Sequence, residues 1–366
     1  MRWIERALRN FLKSVCSAIW ILPNRFAVPL ANILVEVPKF ISEPKGYDAV
    51  VSYLPLMHST SGTSAQNTAI IVQGPIEDSL AEARVLTTVE HYQGLFPGVT
   101  VVVSTWSGAK VDLLKEVAGL VLVESDDPGS SYPSNIVRQQ VSTYAGIAKA
   151  AELGVSHVAK TRVDHRLTDP GALAYLHALL RVAKSADSIC VSSYGSGRYR
   201  LFGFTEQLQF GRTETLLEYW RGKPDIPQVC KLHGATDNTP SLELLGSVVH
   251  ETLLNVRYLE RCGFKVEWTW ASNLKALKSY FAIADSSSLG HLQLGRTRTV
   301  YNHVYPWNDK ITNQIENHLQ TSDWLALVEG LDSIGEPDND LLLRAMKVPP
   351  KEVTLLLRNT ETTARF

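Results

Sequence analysis

The stretch NIVRQQVSTYAGIAKAAELGVSHVAKTRVDHR, residues 135–166, decides the fold, because its hydrophobic period changes once and it then ends in charge. Asn135, Arg138, Gln139 and Ser142 fall at i, i+3, i+4 and i+7, while Ile136, Val137, Val141, Ala145 and Ala148 occupy the other side. That spacing predicts a helix over Asn135 to Leu153, which Ser134 can cap and Gly154 closes. Val158 to Thr161 then reads as a short buried strand. At its end stand Lys160, Arg162, Asp164, His165 and Arg166, a charge cluster just where a buried strand surfaces.

Outward from this unit the same alternation repeats. Ala69 to Val72, Val101 to Ser104, Leu120 to Val123 and Ile189 to Ser192 read as further buried parallel strands. Leu80 to Tyr92, Ala109 to Val117 and Ala172 to Ala183 read as helices, the last opened by Asp169-Pro170. The prediction is an α/β fold with a mostly parallel sheet flanked by helices. In such sheets ligands bind outside the carboxyl ends of the strands. The segments to watch are therefore Gln73-Gly74-Pro75, Thr105-Trp106, Glu124 to Asp127, Arg162 to Arg166 and Tyr194 to Gly197. Neither G-x-G-x-x-G nor a P-loop occurs, so nicotinamide redox chemistry and P-loop phosphoryl transfer lose their usual support. Asp164 can hold a divalent cation, and Arg162 or Arg166 can pair with phosphate oxygens. An internal Arg-Asp ion pair beside a solvated helix face is the structural alternative.

Length and composition narrow the class. The chain has 366 residues, 45% hydrophobic and 20% charged, enough for a sizeable core and unlike a disordered protein. Lys plus Arg is 36 against 37 for Asp plus Glu, a net charge of -1. No basic excess marks a nucleic-acid binder. Cys16, Cys190, Cys230 and Cys262 form no CxxC pair, so neither a zinc knuckle nor a disulfide framework is indicated, and a reducing compartment fits. At the start of the chain, Ile4, Leu8, Phe11, Leu12, Val15 and Ile19 recur at helical spacing among Arg2, Arg6, Arg9 and Lys13. This predicts a basic amphipathic helix at a membrane interface, its apolar run too short to span. Packing on the body or a partner, or service as a signal peptide, are the other readings.

The runs Ile71-Val72-Gln73-Gly74-Pro75, Leu95-Phe96-Pro97, Ser104-Thr105-Trp106, Asp127-Pro128-Gly129, Asn135 to Gln140, Ala145-Gly146 and Lys160 to Arg166 are a set whose order and spacing are specific. Over roughly residues 69 to 310 the chain resembles the WavE lipopolysaccharide synthesis family. The resemblance implies a GT-A-like (Rossmann-like) fold, a nucleoside diphosphate sugar donor and a bacterial surface-glycan acceptor. It maps the family's Lys-Thr-Arg-x-Asp signature onto Lys160 to Asp164, where GT-A enzymes carry a metal-binding acid pair. Here Arg162 replaces the first acid, so an arginine can neutralise a diphosphate without a metal. Phe204 to Gln207 and Phe210 to Glu214 resemble the family's strand-plus-helix block, with Glu206 near its aspartate, and Pro240 to Leu245 its Pro-Glu helix start.

Direct displacement needs a carboxylate within reach of the acceptor hydroxyl. The candidates are Glu243 first, Glu206 second, then Asp237 and Glu251. Gln73, Gly74, Pro75, Trp106, Asn135, Arg138, Gln139, Lys160, Arg162 and Arg166 are expected around the donor, and Asp164 on a manganese or magnesium ion. His291 and His303 are candidates to complete the diphosphate site; Trp106, Trp268, Trp270 and Trp307 can stack on sugars or simply pack. The expected organisation is a basic N-terminal segment over 1–45, the catalytic domain over 46–310 and a helical tail over 311–366. The expected place is the cytoplasm, at the inner face of the inner membrane, with a glycan or lipid-linked acceptor. Sugar-phosphate transfer and a catalytically inactive glycan-binding scaffold are the two alternatives.

Overall fold

The computed structural model describes residues 67–129, 136–222, 250–293, 300–301, 318–331 and 334–335. The N-terminal segment, Ser134, Asn135, Asp237, Glu243, His303, Trp307 and the part of the expected helical tail past residue 335 lie outside the described residues. In chain order the strands are β1 (Thr68–Gln73), β2 (Thr100–Trp106), β3 (Val121–Ser125), β4 (His157–Arg162), β5 (His165–Leu167), β6 (Ile189–Ser192), β7 (Gln209–Arg212), β8 (Phe281–Ala284), β9 (His291–Gln293) and β10 (Val300–Tyr301). The helices are α1 (Ser79–Leu95), α2 (Asp112–Lys115), α3 (Ile136–Glu152), α4 (Ala172–Val182), α5 (Thr213–Trp220), α6 (His250–Arg261), α7 (Trp270–Tyr280), α8 (Ser286–Leu289) and α9 (Thr321–Glu329).

The main sheet has the order β3-β2-β1-β4-β7-β6-β8, and a small second sheet the order β10-β9-β5. In the main sheet β7 alone runs antiparallel to its neighbours. The architecture is the α/β, mostly parallel sheet expected. Central β1 explains why: Ala69, Ile70, Ile71 and Val72 are wholly buried on both faces, each large side chain contributing about 1.5–3 kcal/mol on burial. Asp78 starts α1 by accepting the Ala81 amide at 2.7 Å, which satisfies one of the helix's orphan donors.

Three expectations need correction. The predicted helix over Ala109 to Val117 shrinks to the single turn α2, with Val111 and Leu114 its fully buried residues and Gly119, at φ 74°, in the turn that leads to β3. The strand placed at Leu120 to Val123 is β3, an edge strand only half buried. The buried side of α3 is not the apolar side expected: Gln140, Ser142, Thr143 and Gly146 are buried against the sheet with Ile136, Ile147 and Ala150, while Val137, Val141, Ala145 and Ala148 are only half-buried, as are Arg138 and Gln139, and Tyr144 is exposed. Small residues let this helix come close. Past residue 311, α9 packs on β8, with Trp324 fully buried and the Thr321 hydroxyl donating to the Ile283 carbonyl at 2.8 Å. Among the described residues no helix is long and apolar enough to cross a membrane.

Candidate functional site

Chain order sends β2 and β3 to one side of β1 and β4 to the other, so the crevice beyond the carboxyl ends of β1 and β4 is the switch point of this sheet. Gln73 and Arg162 are register partners at its mouth. Gln73 is pinned by its amide, which donates to the Ser142 hydroxyl at 2.8 Å. Gly74 adopts φ 146°, and a Cβ there would stand 2.7 Å from Val163 Cγ2. The Val163 amide donates to the Gln73 carbonyl at 3.0 Å, so the turn carrying Asp164 lies directly on Gly74. Pro75 and Trp106 are half-buried at the rim.

Arg162 is the centre of the charge cluster. Its guanidinium donates to Asp164 Oδ1 at 3.0 Å and Oδ2 at 3.4 Å, and stands 3.9 Å from Glu206 Oε1. Burial works against its charge, but Asp164, Glu206 and, through space, Glu251 together hold its pKa above the ordinary value. Glu206 is buried, and its Oε2 has no hydrogen-bond partner among the described residues. Beside it Lys160 is wholly buried, donating to the Glu206 carbonyl at 2.6 Å with its ammonium 4.9 Å over the Trp220 ring. Burial lowers the Lys160 pKa to about 7, partly offset by the Glu206 carboxylate. Sequence reasoning missed Trp220 because nothing local marks a helix-end tryptophan as the platform of a lysine 60 positions earlier.

Arg166 is not in this crevice. Residues alternate across β5, so Arg166 turns away from His165 and runs under α1, donating to Thr88 Oγ1 at 2.6 Å and the Arg84 carbonyl at 2.9 Å. It is fully buried, and burial lowers its pKa to about 10. Arg138 makes a bidentate pair with Asp127 at 2.6 and 2.7 Å, tying the end of β3 to the start of α3; this is the structural alternative raised by its sequence. Gln139 is half-buried, with its Oε1 lacking a partner among the described residues. Of the predicted tryptophans, Trp268 meets Phe202 edge-on and Trp270 stacks at a tilt on Tyr199, both as packing.

The donor set does not fit a resident cation. Asp164 is already chelated by Arg162, and no three His, Cys, Asp or Glu side chains among the described residues come together as ligands. The positive group that Asp164 and Glu206 both approach is the Arg162 guanidinium itself.

Frame and site define a class: a doubly wound α/β protein with an arginine-carboxylate cluster at its switch point. The family is narrower. Residues 68–224 match the model of the WavE lipopolysaccharide synthesis family, a shorter span than the resemblance predicted, and one that contains Arg162, Asp164 and Glu206 but not Glu243. No curated protein matches the chain. Two solved structures are similar: mannose-1-phosphate geranyltransferase from Thermus thermophilus, at 12% identity over 60% of this chain and 73% of that one, with a TM-score of 0.31; and a glycosyltransferase involved in the glycosylation of the major capsid of PBCV-1, at 10% identity over 60% and 82%, with a TM-score of 0.32. Likenesses this distant say nothing about activity.

Proposed function

We propose that the chain is a glycosyltransferase of lipopolysaccharide or capsule synthesis, moving a sugar from a nucleoside diphosphate sugar to a surface-glycan or lipid-linked acceptor. The observation that carries this reading is Arg162 held between Asp164 and Glu206 at the switch point, with Glu206 Oε2 lacking a hydrogen-bond partner among the described residues. In a direct displacement the acceptor oxygen forms a bond to the anomeric carbon as the carbon–oxygen bond to the diphosphate breaks. Glu206 takes the acceptor proton, and the electron pair leaves on the diphosphate. Arg162 neutralises that growing charge, and Asp164 fixes the plane of the guanidinium so that the charge is met by a preorganised partner. Gln73, Gly74 and Pro75 form the floor beneath the donor. The basic N-terminal segment is the proposed contact with an anionic membrane.

The test compares parent, Glu206→Gln, Arg162→Ala and Asp164→Asn for donor binding and turnover, each with manganese and with chelator. Glu206→Gln is expected to bind donor as the parent does and lose on the order of 100-fold or more in kcat, the scale of general-base catalysis. Arg162→Ala is expected to weaken donor binding more than Asp164→Asn, and chelator to leave the parent active. Full turnover in Glu206→Gln removes Glu206 as the base and returns that role to Glu243. Chelator-abolished activity restored by manganese, and absent in Asp164→Asn, would reinstate the cation. A product containing phosphorus would identify sugar-phosphate transfer instead.

A further inference from the structure

Asp164 has a second neighbour that the transfer chemistry leaves unused. His165 opposes Gln293 across the β5–β9 pair and Leu167 opposes His291, so His165 and His291 are diagonal neighbours, within reach for rings. His165 Nδ1 lies 2.7 Å from His291 Nε2, and both rings are buried. His291 Nδ1 lies 3.2 Å from Ser192 Oγ, which is 2.8 Å from Ser286 Oγ, itself 3.0 Å from Ser193 Oγ. At the opposite end His165 Nε2 is buried without a hydrogen-bond partner among the described residues, 3.8 Å from Asp164 Oδ1.

The hydrogens of this row can be placed by charge. The Tyr194 amide donates to Ser192 Oγ, and accepting that bond leaves the Ser192 hydroxyl able to donate its own proton towards His291 Nδ1. A lone pair on His165 Nε2 would face a carboxylate, whereas an N–H there is attracted to it. With the proton on His165 Nε2, its Nδ1 must accept, so His291 carries its proton on Nε2 and accepts at Nδ1 from Ser192. The hydrogen bonds from Ser192 through His291 to His165 then all run one way, and the His165 N–H points at Asp164 across 3.8 Å. We propose that Ser192, His291 and His165 form a directed imidazole relay ending on Asp164, and that the two histidines are positioning residues that steady the carboxylate holding Arg162. Burial supports the arrangement by keeping both rings neutral, His165 well below the ordinary range and His291 at about 4. A neutral pair can share one proton without repulsion.

The relay takes its functional meaning from the proposed reading of Asp164 and Arg162 as the donor-binding pair, but its test needs no turnover. Nitrogen-15 spectra of the full-length protein labelled at its histidine rings, assigned with His165→Gln and His291→Gln, report the tautomers directly. The expected result is Nε2–H in both rings near neutral pH, with a coupling between His291 Nε2 and His165 Nδ1 through their shared hydrogen. Asp164→Asn, which keeps volume but removes the charge, is expected to erase the tautomer preference of both rings together. Ser192→Ala is expected to shift His165, two rings away. An Nδ1–H tautomer in the parent overturns the relay, as do unmoved rings in a folded Asp164→Asn protein. A transferase-inactive protein with these spectra would sink the glycosyl-transfer reading and leave the relay intact.

Discussion

A single buried ammonium gives the site a pH signature. Lys160 has an ordinary pKa of 10.5 when unfolded and about 7 in the fold, lowered chiefly by burial. Between those values the unfolded chain binds a proton that the folded one does not, so stability rises as pH climbs from about 7 towards 10 and the penalty is fully present below that window. Lys160→Met keeps much of the side-chain volume and removes the titration. Unfolding free energies from urea titrations at pH 7 to 10 are expected to rise more steeply in the parent, by up to several kcal/mol across the window. Parallel curves would mean that Lys160 keeps an ordinary pKa. The variant also loses the hydrogen bond to the Glu206 carbonyl, worth about 1–3 kcal/mol, so the slope rather than the absolute stability carries the test. The lysine was legible in the sequence as part of a charge cluster; its burial was not, because the group that covers it, Trp220, belongs to a distant helix.

At the scale of elements, the contact that sets the crevice is α3 against β1 and β2. Gly146 lies in the middle of that helix, and a Cβ would come 2.7 Å from Ile71 Cγ2 and 3.0 Å from Ser104 Cβ. Gly146→Ala has two opposed effects: a gain in helix propensity of about 1 kcal/mol and an overpacking cost of about 1–3 kcal/mol. The overpacking is expected to win, because Ile71 belongs to the central, wholly buried strand and has nowhere to retreat. Denaturant titration should show a lower midpoint with an unchanged slope; a higher midpoint would mean that the helix simply moves out. The strands and long helices were legible because β-branched runs and 3.6-residue periods are local signals. The inward side of α3 was not, since Gln140, Ser142 and Thr143 read as polar although they fill a tight seam. The insertion of antiparallel β7 between β4 and β6 was equally hidden, as strand order is a non-local property. So was the meeting of His165 with His291, 126 positions apart. Arg166 could have been placed by the alternation of a strand, had the short β5 been read as one.

For the whole molecule, the charge balance decides what can bring it to a membrane. With 36 basic and 37 acidic residues the chain as a whole has almost no net attraction for an anionic surface. Any such attraction has to come from local clustering, and Arg2, Arg6, Arg9 and Lys13, opposed only by Glu5, are the cluster the sequence offers. Each basic residue near an anionic leaflet is worth about 1 kcal/mol, and the apolar positions from Ile4 to Ile19 add area that salt does not screen. Full-length protein is therefore expected to sediment with vesicles containing anionic lipid at low salt and to be released as salt rises. Reversing two charges, with Arg6→Glu and Arg9→Glu together, is expected to weaken this binding on the order of 100-fold, while the nucleotide binding proposed for Arg162, far along the chain, is expected to stay at the parent level. Equal binding to neutral and anionic vesicles would assign the segment to apolar insertion alone. Binding to neither would leave it as a contact for protein, and the acceptor would then have to reach Glu206 without the help of a shared membrane plane.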